Sequence, residues 1–508
     1  MHDTAPPDRA AAATPRSRRS AGTGDGPQPT AGSRGHDGPP GRPRLWEAVL
    51  LAALAAPPAW AQAGAPLDGT ADSAPDGASV TRTGPASPAL SPEAAPALPA
   101  AGSALTWSGY GTLGYNRSNR DFIYLREIDR QGTLKRDSVL GLQADLRIDP
   151  HWSATAQLRL GPREDSDHGV EVRPAWAFLA WRPDDDWLLR AGRMRVPLYL
   201  YSESIDVGQT QDMARLPVEA YGIAPTNDFN GLYLTRYWSN DRGELSLDAY
   251  AGHADSWIRF WLRDGLPGMV PSGAFHAAAR TRLGGLALTW RQPGLTLHGS
   301  LIATSNRRKD GVGLPQSFPY VSLGPGIGYY VVDEALGPGV TRVDRVRNLT
   351  WSLGAEWRID ADWRLVAEHV RNRQKDTDFG IDATGDYVTL LTRAGDWTPY
   401  VSVARMRSRE LGFAWFDRLT THPLPSVVPG ADAINGLQRV VAEALWPTEQ
   451  QTWAVGAAWA LGPSLKLKGE WGHTRIGRRS RFVDARPGSD DVRQRSLDVL
   501  TLNLNWVY

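Results

Sequence analysis

From Leu105 onward, apolar and polar residues alternate with a period of two, the pattern of a β-strand whose two faces meet different surroundings. In LTWSLGAEWRI, residues Leu349, Trp351, Leu353, Ala355, Trp357 and Ile359 fall on one side, with Thr350, Ser352, Gly354, Glu356 and Arg358 on the other. LKLKGEW sets Leu465, Leu467 and Trp471 against Lys466, Lys468 and Glu470. The last segment sets Leu500, Leu502, Leu504, Trp506 and Tyr508 against Thr501, Asn503, Asn505 and Val507. The same template predicts strands over 105–116, 137–148, 152–161, 171–182, 187–200, 229–239, 243–253, 276–291, 294–304, 346–359, 363–373, 384–393, 397–408, 450–461, 465–474 and 495–508.

The connections carry a second regularity. Short ones built from turn formers (Asp149-Pro150-His151, Pro183 to Asp186, Asn240-Asp241-Arg242, Gln292-Pro293, Asp360-Ala361-Asp362, Ala394-Gly395-Asp396, Gly462-Pro463-Ser464) alternate with long ones near 117–136, 162–170, 201–228, 254–275, 305–345, 374–383, 409–449 and 475–494. A soluble sandwich has no reason to gather every long connection at one end. The pattern predicts an all-β, 16-stranded antiparallel transmembrane β-barrel, with 18 strands as the alternative count, tight periplasmic turns and long extracellular loops. In hydrocarbon each unpaired backbone group costs several kcal/mol, so such a sheet must close on itself. Trp152, Trp187, Trp363, Trp397 and Trp506 sit near predicted strand ends, where aromatic girdles belong.

Composition narrows the classes. There is no cysteine among the 508 residues, which excludes disulfide frameworks, thiolate metal sites and cysteine nucleophiles. With 56 Lys+Arg against 55 Asp+Glu the chain is not a globally basic nucleic-acid binder. Repeated apolar runs of about 20 residues, which a helical membrane protein needs, are missing. Residues 1–44 are rich in Ala, Pro, Gly, Arg and Ser and read as disordered or as a translation start placed too early. A basic flank, the apolar stretch from Leu45 and Ala59-Trp60-Ala61 make 45–61 a signal peptide, despite Glu47 in the apolar core. Residues 62–104 read as an Ala/Pro-rich linker, and 105–508 as an outer-membrane barrel in a Gram-negative cell.

The segments Val172-Arg-Pro-Ala-Trp-Ala-Phe-Leu-Ala-Trp181 and Leu189-Arg-Ala-Gly-Arg-Met-Arg-Val-Pro197 resemble the Gram-negative outer-membrane porin superfamily, and within it the phosphate-selective branch and related proteobacterial porins. The terminal aromatic Tyr508 is similar to the assembly signal that such barrels present to the barrel assembly machinery, although Phe is more usual there. The resemblance implies transport, a homotrimer, and a third long loop folded into the barrel.

If apolar positions face lipid, their neighbours line the lumen. The predicted basic wall is Arg147, Arg159, Arg173, Arg193, Arg195, Arg358, Lys466 and Lys468, with Asp145, Glu356 and Glu470 as acids. Arg190, of opposite parity to Arg193, is expected to snorkel outward at the periplasmic interface. Arg280 and Arg282 depend on whether Gly284-Gly285 hosts a bulge. The constriction loop carries Glu203, Asp206, Asp212, Glu219 and Asp228 against Arg215, with Met213, Leu216 and Tyr221 able to pack it on the wall. Acids facing a basic wall across a narrow, low-dielectric gap would set up a transverse field, and the basic excess on the wall gives a mild anion preference.

No catalytic motif (HExxH, GxSxG, GxxxxGK[ST]) occurs, and nothing in the sequence calls for a metal or cofactor. Asp184-Asp185-Asp186 reads as a solvated turn rather than a calcium site. Arg307-Arg308-Lys309 and Arg478-Arg479 with Arg481 read as exposed loop charge or as contacts for lipopolysaccharide phosphates. The expected partners are membrane lipid and lipopolysaccharide, the assembly machinery and small hydrophilic or anionic solutes. The function expected is passive diffusion, not enzymatic, with a secreted soluble β-sheet glycan-binding protein as the competing class.

Overall fold

The structure is a computed structural model that describes residues 104–508 except 334–336, 338 and 490. The expected disordered start, signal peptide and linker, up to residue 103, lie outside the described residues. Sixteen antiparallel strands form one closed barrel. They are β1 (Leu105–Ser118), β2 (Val139–Arg147), β3 (Trp152–Pro162), β4 (Val170–Asp184), β5 (Trp187–Arg195), β6 (Asp228–Asn240), β7 (Gly243–Leu262) and β8 (Gly273–Gln292). The second half comprises β9 (Leu295–Arg308), β10 (Val346–Arg358), β11 (Trp363–Gln374), β12 (Ala383–Thr392), β13 (Trp397–Ser408), β14 (Glu449–Gly462), β15 (Leu465–Ile476) and β16 (Ser496–Val507). Each strand pairs with its sequence neighbour, and β1 pairs with β16 through Tyr110 opposite Val507. The seam is extended by Tyr508, whose N–H donates to the Gly109 carbonyl at 3.0 Å while the Gly109 N–H donates back at 3.1 Å.

The strands stand where the alternation places them, and the departures are at their ends. β7 and β8 run on beyond the predicted limits as one long hairpin, shortening the connection between them. β5 stops at Arg195 rather than near residue 200, because the chain turns inward at Val196-Pro197, where proline has no N–H to give a neighbour. β8 pairs with β7 and β9 without a register shift, so Gly284-Gly285 makes no bulge. Arg280 and Arg282 share the outward row of Leu286 and Leu288 at its long-loop end, where Arg280 pairs with Asp255.

The barrel wall inverts the usual rule of burial. On β10, Leu353 is 52% exposed while its neighbour Ser352 is 1% exposed. Leu140, Leu158, Val172, Leu232, Leu301, Val401, Val455 and Leu502 repeat the exposed apolar row around the circumference. Near the short turns the row ends in exposed Trp152, Trp181, Trp187, Trp238, Trp357, Trp363, Trp397 and Trp459, and half-buried Trp506. Trp152 stacks on Trp181 and Trp397 on Trp459 across adjacent strands. The short turns are tied by local carboxylates: Asp184 Oδ1 accepts from the N–H groups of Asp186 and Trp187, and Asp360 Oδ1 from those of Asp362 and Trp363.

Among the described residues three α-helices lie in the long connections: α1 (Val218–Tyr221), α2 (Glu410–Thr420) and α3 (Ala431–Ala444). The last two were not expected from the period-2 reading. α2 buries Phe413, Trp415 and Leu419, and the last two join Phe318, Val331, Val340, Ala442 and Leu445 in an apolar cluster that binds the 305–345 and 409–448 connections together over the long-loop end. No described helix is long and apolar enough to cross a membrane.

Candidate functional site

The connection between β5 and β6 (196–227) folds into the barrel, as expected of the third long loop. Its apolar side is held by packing. Val196, Leu198, Tyr199, Met213, Leu216, Ala220 and Ile223 share a core with wall residues Tyr233, Val366, Val370, Tyr387 and Tyr400, and Tyr221 packs against it. Gly385 on β12 allows the Glu219 carbonyl oxygen to approach so closely that a Cβ would lie 2.1 Å from it.

Hydrogen bonds fix the rest of the loop to nearly the whole inner wall. The Leu198 carbonyl accepts from Ser300 on β9, at 2.9 Å, and from Ser352 on β10. Glu368 on β11 accepts from the Leu200 N–H at 2.7 Å, the Tyr221 hydroxyl at 2.6 Å and the Tyr387 hydroxyl at 2.8 Å. Tyr201 donates to Glu356 at 2.7 Å. Tyr400 donates to Glu470 at 2.7 Å and accepts from the Ala214 N–H. Lys468, which is 1% exposed, spends its ammonium on the carbonyls of Gly208 at 2.6 Å and Met213 at 3.0 Å. Glu219 accepts from Gln450 and Thr452 on β14.

Two of the loop acids, Asp206 and Asp212, meet wall bases directly, a departure from the expected transverse field across a narrow, low-dielectric gap. Asp206 pairs with Arg159, at 2.9 Å, and with Arg195. Asp212 pairs with Lys466 at 2.8 Å and with Arg364, whose other nitrogen reaches Glu356 at 3.1 Å. Arg215 closes the set by pairing with Asp137 at 2.6 Å, ahead of β2. At these distances the opposite charges neutralise each other locally instead of acting on a solute between them. Burial alone would push the Asp206 carboxyl up, but Arg195 and Arg159 outweigh it and hold it down at about 2. Burial opposes the charge on Arg215 too, and Asp137 more than restores it. Glu203 lies half-buried on the same loop.

Most of the residues expected on the wall lie on inner rows, and β5 departs from the expected placement. Arg159, Arg173, Lys466, Lys468, Asp145, Glu356 and Glu470 lie on the inner rows; Arg173 pairs with Glu164 and, at 3.8 Å, with Asp228. Arg147 and Arg358 keep the inward parity of Asp145 and Glu356 but stand exposed at the short-turn mouth. On β5 the inward residues are Leu188, Arg190 and Met194. Arg190 is therefore inside, its guanidinium 4.1 Å from the Tyr233 ring centroid, and not snorkelling outward. Arg193 stands on the outer row opposite Ala177 and Asn230, and reaches round the strand to the Pro174 carbonyl at 2.6 Å and Asp228 at 3.1 Å. Gly192, at φ +138°, marks the twist just before β5 leaves the wall. Asp228 is not a loop residue: it opens β6 and is buried, 2.5 Å from Arg195.

Above the loop, towards the long-connection end, lies a cavity of about 2070 Å³. Its floor includes Asp206, Gly208, Lys468, Asn503 and Asn505, and its upper walls come from β7, α2, α3 and the 477–495 connection. Fifteen Lys and Arg side chains line it against seven Asp and Glu. Arg478, Arg479 and Arg481 belong to this lining, which corrects their reading as a purely external cluster. Arg479 donates to the Glu443 carbonyl and Arg481 to the Gly222 carbonyl, and neither has a carboxylate partner among the described residues. Burial pushes both guanidinium groups down to about 10. By contrast Arg307-Arg308-Lys309 stays at the rim, with Arg308 on Asp310 and Lys309 on Asp255 at 2.7 Å.

Closed without free edges, apolar with a tryptophan girdle outside and polar within, the domain is a barrel of the outer-membrane type. No family model matches the chain, and no curated protein matches it. Solved structures similar to it are outer-membrane porins and channels. OprB of Pseudomonas putida is 10% identical at a TM-score of 0.45, over 80% of this chain and 94% of that one. An anion-selective porin from Comamonas acidovorans is 11% identical at 0.44, over 80% and 99%. The outer membrane channel DcaP of Acinetobacter baumannii is 10% identical at 0.43, over 80% and 97%.

Proposed function

We propose that this protein is a diffusion channel of the outer membrane that passes small hydrophilic solutes and favours anions. The observation that carries the reading is the pairing of a lipid-type outer wall with a polar interior that opens into the 2070 Å³ vestibule. A soluble glycan-binding protein would bury Leu353 and its row and would expose Ser352, the reverse of what is seen. The anion preference rests on the vestibule and no longer on the wall count. Most wall bases are spent on loop acids or carbonyls, and most vestibule arginines are paired with acids as well, but Arg479 and Arg481 in the vestibule have no acid partner among the described residues. Such a funnel concentrates anions over cations before they reach the narrow section. The inserted loop sets the width of that section, and homotrimer formation and recognition of Tyr508 by the assembly machinery complete the reading by resemblance.

Reversal potentials in a planar bilayer with asymmetric potassium chloride test it. Anion-over-cation permeability above one is expected, falling when Arg479 and Arg481 are replaced together by Gln. Cation selectivity, or a ratio unmoved by that change, contradicts it. The pair Arg193 and Arg195 is unsuited to this test, since removing them strips Asp228 and Asp206 of their partners.

A further inference from the structure

Arg481, like Arg479 and unlike most arginines that line the vestibule, has no carboxylate partner among the described residues. Arg259 is matched by Asp167 and Asp484, Arg263 by Asp264, and Arg478 by Glu410. Arg481 has only the Gly222 carbonyl of the inserted loop, and its Nε is buried without a hydrogen-bond partner. A cation kept so deep without a counter-charge is costly unless an anion from solution completes it.

Its surroundings are aromatic. The guanidinium lies 4.7 Å from the Phe482 ring centroid and 5.8 Å from that of Trp446, and Trp446 stacks on Phe260 of β7 at 5.4 Å. Phe260, Trp446, Phe482 and Arg481 all border the cavity and all are half-buried. The position is held from behind: the Arg481 N–H donates to Thr448 Oγ1, and Ser480, itself bonded to Gln450, caps the Phe482 N–H. One planar cation beside flat apolar faces suits a ligand with one carboxylate and a flat apolar body. A dianion such as sulfate would need a second unspent cation beside the same ring faces. Arg479, likewise bonded only to a backbone carbonyl, that of Glu443, lies over a different ring, Phe416.

We infer that Arg481, Trp446, Phe260 and Phe482 form a binding subsite in the vestibule for aromatic monocarboxylates, standing directly above the inserted loop. The inference rests on the channel reading for its purpose but not for its chemistry. A solute held there is desolvated along its apolar face and stands next to the inserted loop, which Arg481 touches at the Gly222 carbonyl.

The test is calorimetric titration of the full-length protein in detergent with benzoate, acetate and sulfate. Benzoate is expected to bind about tenfold or more tightly than either of the others, since only it meets both the ring faces and the cation. Arg481→Gln should abolish the benzoate signal, and Trp446→Leu should bring benzoate down to the level of acetate. Equal binding of benzoate and acetate, tighter binding of sulfate, or an unchanged Arg481→Gln titration would overturn the subsite. Heat-modifiable gel migration checks folding of each variant. Should Arg481→Gln not fold, the wild-type order of the three anions decides alone. Binding is read without conduction, so benzoate binding by a protein that passes no current would sink the channel reading and leave the subsite standing.

Discussion

The Lys466 ammonium lies 2.8 Å from an Asp212 carboxylate oxygen, joining the first turn of β15 to the deepest part of the inserted loop. The same ammonium donates to the Gln209 carbonyl at 2.9 Å, and Gln209 in turn reaches the carbonyl of Pro463 in the adjacent short turn. The loop is thus pinned near the short-turn mouth. A double-mutant cycle with Lys466→Met and Asp212→Asn is expected to show a coupling of about 1–2 kcal/mol in thermal unfolding, because the two are in contact and only partly exposed. Lys466→Met alone is expected to raise single-channel current noise. Additive effects on stability would mean that the pair does not hold the loop.

The pairing of Asp206 with Arg159 and Arg195 should be insensitive to mild acid. Asp206 ionises at about 2, below its ordinary 3.8, so its stabilisation is complete above the ordinary value and is lost as the pH falls through about 2. The contribution of Asp206 to thermal stability, read as the difference from Asp206→Asn, is expected to be constant from pH 7 to about pH 4 and to be lost between about pH 4 and 2. A loss that sets in near pH 6 would show that Asp206 is not held by these pairs.

Charge placed on the outer wall should be costly. Leu353→Arg is expected to destabilise the barrel in lipid by about 2–4 kcal/mol, the cost of a cation at a lipid-facing position near mid-depth. In a water-soluble protein the same change at a half-exposed leucine would fall within about 0.5 kcal/mol. Urea unfolding in vesicles distinguishes the two.

The strands were legible because the period-2 signal survives wherever both faces have opposite solvents, as at Leu349 to Ile359. It misleads on β5, where the faces keep alternating but inward Leu188 and Met194 are apolar, Met194 joining the core of the inserted loop, while Arg193 lies on the outer row, so polarity no longer tells the face. Arg364 and Glu368 were overlooked although they share one row of β11 with Val366 and Val370. Apolar residues on that inner row are explained only by the inserted loop, which packs on them, and this is a long-range contact that no local pattern announces. α2 and α3 were missed for a similar reason: their apolar stripes meet residues of the 305–345 connection, remote in sequence. That the loop acids touch the wall, instead of facing it, needed distances.

Tyr508 extends the seam between β1 and β16 by one more pair, with Gly109. Removing Tyr508 deletes both hydrogen bonds to Gly109 and uncovers the strand end. The truncated chain is expected to reach the outer membrane in reduced amount, and Tyr508→Phe to retain wild-type amounts. Full recovery of the truncated form in the membrane fraction would leave the terminal residue without a role in assembly.

The most direct test exploits the absence of cysteine from the chain. Spin labels placed singly at Leu349→Cys and Asn348→Cys, neighbours on β10, report whether each side chain meets hydrocarbon or water. Leu349 is on the exposed outer row and Asn348 borders the vestibule. In reconstituted vesicles the label at 349 should collide freely with oxygen and hardly with a water-soluble nickel chelate, and the label at 348 should do the opposite. Equal accessibility of the two labels, or the reverse assignment, would contradict a lipid-facing wall around a water-filled interior.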